Sequence, residues 1–360
     1  MHGTRRAAAI VDLTVLAHSL STILAFVFAG LVAEQWWRRR QPYQLVWAIG
    51  LVWFGMGAGA ELLGGIIGWN EALYRAWYLA GAVWTAAWLG LGSVYLLSRT
   101  RFGFAFAASL LMAGLFTYLT QQRYDYSGSG VAPVVYGVVA VVSAAAIASL
   151  SWRRSPAWAH VAGGLLTVGT IVSAVMMLGI QLPAPGYAID SATGAPTGEL
   201  FPGYLRLLTP FFNITGAFAL VLGAVYSAYV FMPKRRVLTY SLHTDRSAAE
   251  RIGSLLFAPL AIAVNLVSSL PGAFTALVTG RLNSRVPSTL LIAAGGMVVS
   301  VTSGLGRFGE TSAHAIGLLI GLVLIFLGFL VSIEVFSDVR LPFTRIVLRR
   351  RDRESEAIGH

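Results

Sequence analysis

The sequence predicts an all-α fold, a polytopic bundle of transmembrane helices, and two observations lead to that prediction. Of the 360 residues, 56% are hydrophobic and only 11% are charged, whereas a soluble domain carries about 25% charged residues. The apolar residues also lie in long runs, and about 20 of them at about 1.5 Å each cross a hydrocarbon core of about 30 Å. Too few charges remain to solvate a globular surface, so we expect the lipid bilayer to be the main partner.

Ten apolar segments follow one another along the chain. They are 10–33, 44–69, 72–97, 102–120, 131–150, 157–180, 207–232, 252–280, 288–305 and 313–336. The first follows Arg5 and Arg6, as in a signal peptide, but it is far longer than the apolar region of about 7–15 residues that a signal peptide contains. We therefore expect it to be retained as a span.

The distribution of basic residues gives the expected topology. The net charge is +11, which in a soluble protein would suggest nucleic acid, but here the basic residues lie in short loops beside the spans. Such loops stay in the cytoplasm, so we expect no nucleic-acid partner. They predict a multi-pass protein of the bacterial inner (plasma) membrane with its N-terminus outside and its C-terminus in the cytoplasm. The basic segments are 38–40, 99–101, 153–154, 234–236 and the tail 349–353.

The segment 252–280 does not fit a simple crossing. Seven spans end at the cytoplasmic loop 234–236, and an even number of crossings must follow if the tail is cytoplasmic, yet three apolar segments remain. A proline inside a helix removes a backbone donor and clashes with the preceding turn, and this segment contains Pro259 and Pro271. We therefore expect a break near Pro271 and a broken or re-entrant hairpin, which leaves nine full spans.

These features divide the chain into four parts. They are a seven-helix transmembrane bundle at 1–236, a cytoplasmic linker at 237–250, the re-entrant hairpin with two spans at 251–340, and a basic cytoplasmic tail at 341–360. The stretches outside the spans are too short to bury a core of their own, so we expect no soluble output domain.

The first seven spans contain a candidate parallel repeat, in which spans one to three recur as spans five to seven and span four is the linker. A shift of 114 residues aligns Gly50 with Gly164, and a shift of 131 residues aligns Arg75 with Arg206 and Leu91-Gly92-Ser93-Val94-Tyr95 with Leu222-Gly223-Ala224-Val225-Tyr226. Parallel repeats occur in some transporters. Chance similarity is the alternative, because glycine is common in membrane helices and basic residues recur at their cytoplasmic ends.

Few residues point to catalytic chemistry. The chain has no cysteine, which excludes disulfides, thiolate metal sites and cysteine-ligated clusters. It contains no phosphate-binding glycine-rich loop, no His-Glu-x-x-His and no Gly-x-Ser-x-Gly motif. We therefore expect a protein that is not an enzyme and that holds no cofactor and no metal.

Polar residues inside the spans are better candidates, because burying them in lipid is costly. Glu61 lies in the outer half of span two, and Arg75 opens span three on the same side. We predict a Glu61–Arg75 ion pair that lines an outward-facing ligand cavity. The alternatives are a structural pair, or a carboxyl group kept protonated against a neighbouring hydroxyl.

Four further residues are ligand-binding candidates. His18 and His314 lie near one depth in the first and last spans, and such a pair could bind haem b or a metal. Because no carboxylate is expected between them, an interfacial or hydrogen-bonded histidine is favoured. Trp84 and Trp88 lie deep enough to line a cavity for an apolar or cationic ligand, although packing in the core or against lipid is favoured for them.

Other residues have structural interpretations. Small residues in span two predict close helix approach, in the motifs Gly55-x-x-x-Gly59 and Gly64-x-x-x-Gly68. Asn213 and Asn265 predict interhelical hydrogen bonds, and Trp77 belongs to the aromatic belt at a membrane interface. The long outer loop 181–205 is either a lid or binding element or a passive connector.

One stretch resembles a known family. It runs from Ala60-Glu61-Leu62 through Trp77-Tyr78-Leu79-Ala80-Gly81 to Trp88-Leu89 and Tyr95-Leu96. It is similar to the seven-helix sensor region of bacterial membrane histidine kinases and to uncharacterised bacterial integral membrane proteins. The resemblance covers about 40 residues and implies a ligand-sensing seven-helix bundle with its N-terminus outside. The chain differs in its extra C-terminal spans and in lacking a kinase domain, so such a sensor would signal only through a partner.

Two functions remain open at this point. One is a non-enzymatic membrane sensor or subunit that binds a membrane or cytoplasmic protein partner through its basic face. The other is a small-molecule transporter built from two parallel three-helix repeats. The repeat equivalent of Glu61 is Val175, which is apolar and therefore tilts the expectation towards the sensor or subunit.

Overall fold

The computed structural model describes residues 2–191, 194–239, 248–279, 281–306, 311–331, 338–340 and 347–349. Within them lie ten helical rods long and apolar enough to cross a membrane, so the predicted fold of many long apolar helices is confirmed. The helices are α1 (His2–Arg39), α2 (Pro42–Ile67), α3 (Glu71–Ala76), α4 (Thr85–Leu96), α5 (Phe102–Tyr124), α6 (Ala132–Trp152), α7 (Ala157–Gly179), α8 (Gly203–Arg206), α9 (Leu208–Phe231), α10 (Ala248–Val278), α11 (Arg285–Gly306) and α12 (Thr311–Val331).

Local chemistry explains where several helices begin and end. Pro42 opens α2, where a missing N–H costs nothing. The Asn70 side chain accepts a hydrogen bond of 3.0 Å from the Leu73 N–H at the start of α3. At the far end of α2, Gly68 has a φ of 87°, a left-handed value that favours glycine. These caps separate α2 from α3 by a short turn, so the two rods run back beside each other.

The described helices define two ends of the bundle. His18 of α1, Glu61 near the end of α2 and His314 near the start of α12 are neighbours at one end. We call this the loop end, because the long segment 181–202 also lies there, against α3. The opposite end, which we call the basic end, carries the arginine-rich turns. There the ring of Phe329 in α12 packs 4.5 Å from the ring of Trp47 in α2.

The rod formed by α3 and α4 runs through the middle of the bundle and contains a π-helical segment, Trp77–Trp84, between the two α-helices. It is the most buried of the candidate spans. α4 packs against α2 on one side and against α9 on another. The contact with α9 needs small residues, since a Cβ at Gly216 would lie 2.2 Å from the Ala86 backbone.

The central rod and α9 are parallel neighbours with a constant sequence offset. The Thr209 hydroxyl bonds the Tyr78 hydroxyl at 3.0 Å, and the Asn213 amide donates to the Ala82 carbonyl at 2.9 Å, both across 131 residues. This is the offset at which the sequence suggested a repeat. Elsewhere the halves differ, because α1 packs along much of α2 while their expected counterparts, α6 and α7, share a shorter contact. The repeat therefore stays a prediction.

The glycines of α2 pack only in part as predicted. The closest approach to the backbone of another helical segment occurs at Gly57, where a Cβ would lie 2.6 Å from Gly81 Cα in the π-helical segment. Gly59, which the predicted motif selected, has only an ordinary contact of 3.4 Å with Thr22, and Gly68 caps the helix with nothing within 4 Å. Gly55 and Gly59 both face α1, where a Cβ at Gly55 would lie 3.0 Å from the Phe26 ring, so this motif lies at a close helix contact as predicted. The second motif was wrong, because Gly64 meets Trp69 in the following turn and not another helix.

The predicted break near Pro271 was also wrong. α10 is continuous from Ala248 to Val278 and contains both prolines. A proline interrupts one backbone hydrogen bond and bends a helix, but Pro259 and Pro271 lie on the exposed side of α10, where the rings meet no neighbouring helix. Asn265 accepts from the Val237 and Leu238 N–H groups, at 2.8 and 2.9 Å, so it binds a loop and not another helix as predicted.

Two short strands lie beyond the last helix. β1 (Asp338–Arg340) pairs antiparallel with β2 (Val347–Arg349), with Asp338 opposite Arg349. β1 lies at the end of the predicted part 251–340, and β2 lies in the predicted basic tail 341–360. Most of that tail, and residues 240–247 of the predicted linker 237–250, lie outside the described residues.

Candidate functional site

A cluster of ionisable side chains joins three helices near the loop end. Glu61 of α2 lies between His18 of α1 and His314 of α12. Its Oε2 atom is 3.2 Å from His18 Nδ1, and its Oε1 atom is 3.9 Å from His314 Nε2. The side chains of His18 and Glu61 are only 9% and 15% exposed. We call these three residues the Glu61 cluster.

The indole of Trp77 completes the cluster. Its N–H donates a hydrogen bond of 2.8 Å to Glu61 Oε1, so each carboxylate oxygen has a polar neighbour. Trp77 begins the π-helical segment, and π-helical turns inside membrane helices often coincide with functional positions. Trp77 was assigned to the aromatic belt, and this contact was missed. The signal in the sequence was that only a short turn separates the helix that carries Glu61 from the rod that carries Trp77.

The wide π-helical turn leaves backbone groups that neighbouring side chains occupy. The Thr85 hydroxyl donates to the Ala80 carbonyl at 2.7 Å, and Asn213 of α9 donates to the Ala82 carbonyl. The latter confirms the predicted interhelical hydrogen bond of Asn213. Backbone carbonyls away from water need such partners, so these bonds hold the segment that orients Trp77.

Arg75 does not pair with Glu61, and this part of the site prediction was wrong. Its guanidinium binds Glu71 one turn earlier, at 2.9 and 2.5 Å, and donates to the carbonyls of Met177 and Ile180. Those carbonyls end α7, where free backbone acceptors and the helix dipole favour a cation. Arg75 is a buried cap on α7, so the structure contains the predicted Glu61–Arg75 pair neither as the lining of a cavity nor as a structural pair.

Trp84 and Trp88 lie away from the Glu61 cluster, between the central rod and α7. The Trp84 N–H donates to the Ser173 hydroxyl at 2.9 Å, and the Trp88 N–H donates to the Thr170 hydroxyl at 3.1 Å. The Trp84 ring also packs against Trp53, with centroids 4.8 Å apart. Both tryptophans therefore have packing roles, and the structure does not bring them together with the histidines.

The loop 181–205 packs on the loop end of the central rod. The Phe201 ring stacks on Tyr74 with centroids 5.1 Å apart, and the Tyr74 hydroxyl donates to the Thr197 carbonyl. A Cβ at Gly198 would lie 2.7 Å from the Tyr78 ring. These contacts make the described part of the loop a packed cover over Arg75 and its surroundings.

The Glu61 cluster brings one carboxyl group and two imidazole rings together. A buried carboxylate is stabilised when a cation or hydrogen-bond donor faces it, and an imidazole changes its charge between about pH 5 and 8. The groups that face Glu61 are His18 from α1, His314 from α12 and the neutral Trp77 from the central rod. In the described part of the chain, no three His, Cys, Asp or Glu side chains are arranged so that they could hold a metal ion.

Comparison with models of protein families, with curated proteins and with solved structures finds no match.

Proposed function

We propose that this chain is a non-enzymatic membrane protein of the sensor or subunit class, in which the Glu61 cluster is a protonatable switch. The observation that carries the proposal is the position of Glu61 between His18 and His314. These residues lie on three helices that are far apart in the sequence, so a change of charge acts directly on how those helices pack.

The switch joins α12 to the pair formed by α1 and α2. When the histidines are protonated, both attract Glu61 and draw the three helices together. When they lose their protons, the carboxylate is partly buried and keeps only the Trp77 hydrogen bond, so packing against α12 is weaker. Because α12 runs on to the basic end, a shift at the loop end reaches the face at which a protein partner would bind.

A distance measurement tests this proposal. The natural chain has no cysteine, so spin labels can be placed at Ile66→Cys in α2 and Ile320→Cys in α12, both exposed. We expect the spin–spin distance to shorten on acidification, and to respond less or not at all in Glu61→Gln.

The matched control is Glu71→Gln. Glu71 is another carboxylate at the loop end, but it pairs with Arg75 and is half exposed. This variant should keep the full pH response. A natural chain whose distance is independent of pH, or a Glu61→Gln chain with the full response, would show that the cluster is not the switch.

A transporter is the second candidate, and the parallel packing of the central rod against α9 at a constant offset favours it. In that case cysteines near Glu61 and at Val175 should each become accessible from both sides of the membrane in turn. Val175 is 66% exposed on the outside of α7, so it does not face a pathway between the halves. For this reason we favour the sensor or subunit.

A further inference from the structure

α10 differs from the other long helices in how it meets the bundle. Among the described residues, each of the others packs along at least one neighbour, whereas α10 shares no extended contact with another helix. Hydrogen bonds and apolar contacts join it to the basic end. Ser269 accepts from the Arg235 N–H at 2.9 Å, and Ala273 packs with Tyr229 and Met232 near the end of α9.

Both ends of the chain segment that contains α10 lie at the basic end. α9 finishes there, and α11 begins there, because Val286 packs with Ala228 and Met232 and the Arg285 guanidinium lies 4.1 Å from the Phe231 ring centroid. If α10 crossed the membrane, residues 239–247 would have to cross it in the opposite direction to connect the basic end with the start of α10. That stretch includes His243, Asp245 and Arg246, and a short polar connection of this kind is poorly suited to cross lipid.

The side chains of α10 are divided between two faces. The face towards the protein carries Asn265, Ser269 and small residues, and Asn265 also donates to the Leu238 carbonyl at 2.7 Å. The opposite face is apolar and exposed. Its residues include Leu256, Leu260, Val267, Leu270, Phe274 and Val278. A helix that crosses lipid has no need of a polar stripe, whereas a helix at the membrane surface requires one.

We propose that α10 lies along the membrane surface at the basic end, with its apolar face in the acyl-chain region of the leaflet. The loop 234–238 holds the polar stripe through Asn265 and Ser269. Exposed basic residues flank the helix at Lys234, Arg236 and Arg281, and each basic side chain at an anionic surface contributes about 1 kcal/mol. The lipid that this surface fits is therefore anionic.

Depth measurements by spin labelling test the proposal in the whole protein. Single cysteines replace four exposed residues of the apolar face, and the labelled protein is placed in bilayer discs of phosphatidylcholine with phosphatidylglycerol. The four positions are Leu256, Leu260, Val267 and Phe274. We expect one shallow depth for all four, about 5–10 Å below the headgroups, as judged from the relative access of oxygen and a water-soluble nickel reagent.

Labels on α6 provide the matched control, because that helix packs along its neighbours and has an exposed apolar face. Its positions are Val134, Val138 and Val142, and their depth should change by about 1.5 Å per residue. The same steady gradient along α10 would overturn the proposal and make α10 a span. Labels on α10 that are all open to water would also overturn it, and would point to a protein partner instead.

The anionic preference has its own comparison. In discs of phosphatidylcholine alone, the α10 labels should move towards water, and a combined Lys234→Gln, Arg236→Gln and Arg281→Gln chain should do the same in the mixed discs. Unchanged depth in both cases would overturn the electrostatic part of the proposal. Neither outcome depends on the protonation of the Glu61 cluster, so this proposal and the proposed function can fail separately.

Discussion

Arg75 binds Glu71 and two carbonyl groups at the end of α7, and its residue exposure is 8%. Arg75→Gln removes a charged donor from acceptors that have little water to replace it. Hydrogen bonds to a charged group contribute about 1.5–3 kcal/mol each, so we expect a loss of about 2–3 kcal/mol or more, measured as a lower Tm in detergent.

Arg38→Gln is the matched control for that loss. Arg38 also pairs with a glutamate four residues away, Glu34, but both side chains are partly exposed, and such pairs contribute about 0.3–0.5 kcal/mol. Equal losses of stability in the two variants would contradict the capping role of Arg75. The Arg75→Gln chain should keep the pH response of the Glu61 cluster, because Arg75 does not contact it.

The sequence singled out polar side chains inside the spans, but it did not predict how they combine. Glu61, Arg75, His18 and His314 were all singled out, since a polar group inside a span is costly unless it has a partner. The cost of burying a polar group does not by itself identify its partner. Glu61 and Arg75 lie on successive rods at the same end, but the rotation of each rod about its axis turns Glu61 towards α1 and α12 and turns Arg75 towards α7.

Among the helices, the contact between α2 and the π-helical segment gives the sharpest packing prediction. Gly57→Ala would place a methyl group 2.6 Å from Gly81 Cα, where only backbone is available to move. Overpacking of this kind costs about 1–3 kcal/mol. We expect a clear fall in Tm and, because Trp77 moves with this segment, a weaker pH response.

Gly59→Ala tests the same helix two residues later. Its new methyl group would meet Thr22 at 3.4 Å, an ordinary contact, and alanine favours a helix over glycine by about 1 kcal/mol. This variant should be as stable as the natural chain or more stable. If Gly59→Ala proved the more harmful of the two, the packing of α2 against the central rod would have to be reconsidered.

α10 shows what hydropathy does and does not determine for an element. The apolar content of 252–280 and the excess of one apolar segment both pointed to an unusual element. Proline was then expected to break the helix. The structure retains the helix through both prolines, because the loss of a single hydrogen bond at each is local while the rest of the helix continues. What is unusual about α10 is where it lies, as we have proposed, and not an interruption of its backbone.

For the whole molecule, the C-terminal pair of helices determines whether the Glu61 cluster can exist. α12 packs against α1 through Phe28 and Phe329, with ring centroids 5.1 Å apart, and against Trp47 at 4.5 Å. Phe329→Ala leaves a void at this junction. In a membrane, the alternative environment of this side chain is lipid and not water, so part of the usual cost of about 3–5 kcal/mol for Phe→Ala is absent. We expect the free energy of unfolding to fall by about 2 kcal/mol and α12 to dock more weakly.

Leu327→Ala is the control for the docking of α12. Leu327 lies on the same helix but is 43% exposed, so its removal leaves no internal void. Only Phe329→Ala should lengthen the distance between labels at Ile66 and Ile320. If both variants lengthened it equally, the Phe28–Trp47–Phe329 contact would not be what holds α12 in place.

The sequence by itself determined the class of fold, the positions of the apolar helices and the short list of intramembrane polar residues. These follow from local properties: a run of apolar residues long enough to cross lipid, basic residues at its ends, and the cost of a charge inside it. Only the tertiary structure decided that Glu61 meets two histidines and a tryptophan, that Arg75 caps α7, and that α10 shares no extended contact with the other described helices. Those outcomes depend on the rotation and lateral order of the rods, because in lipid any apolar surface can face outward and hydrophobicity does not orient one helix towards another.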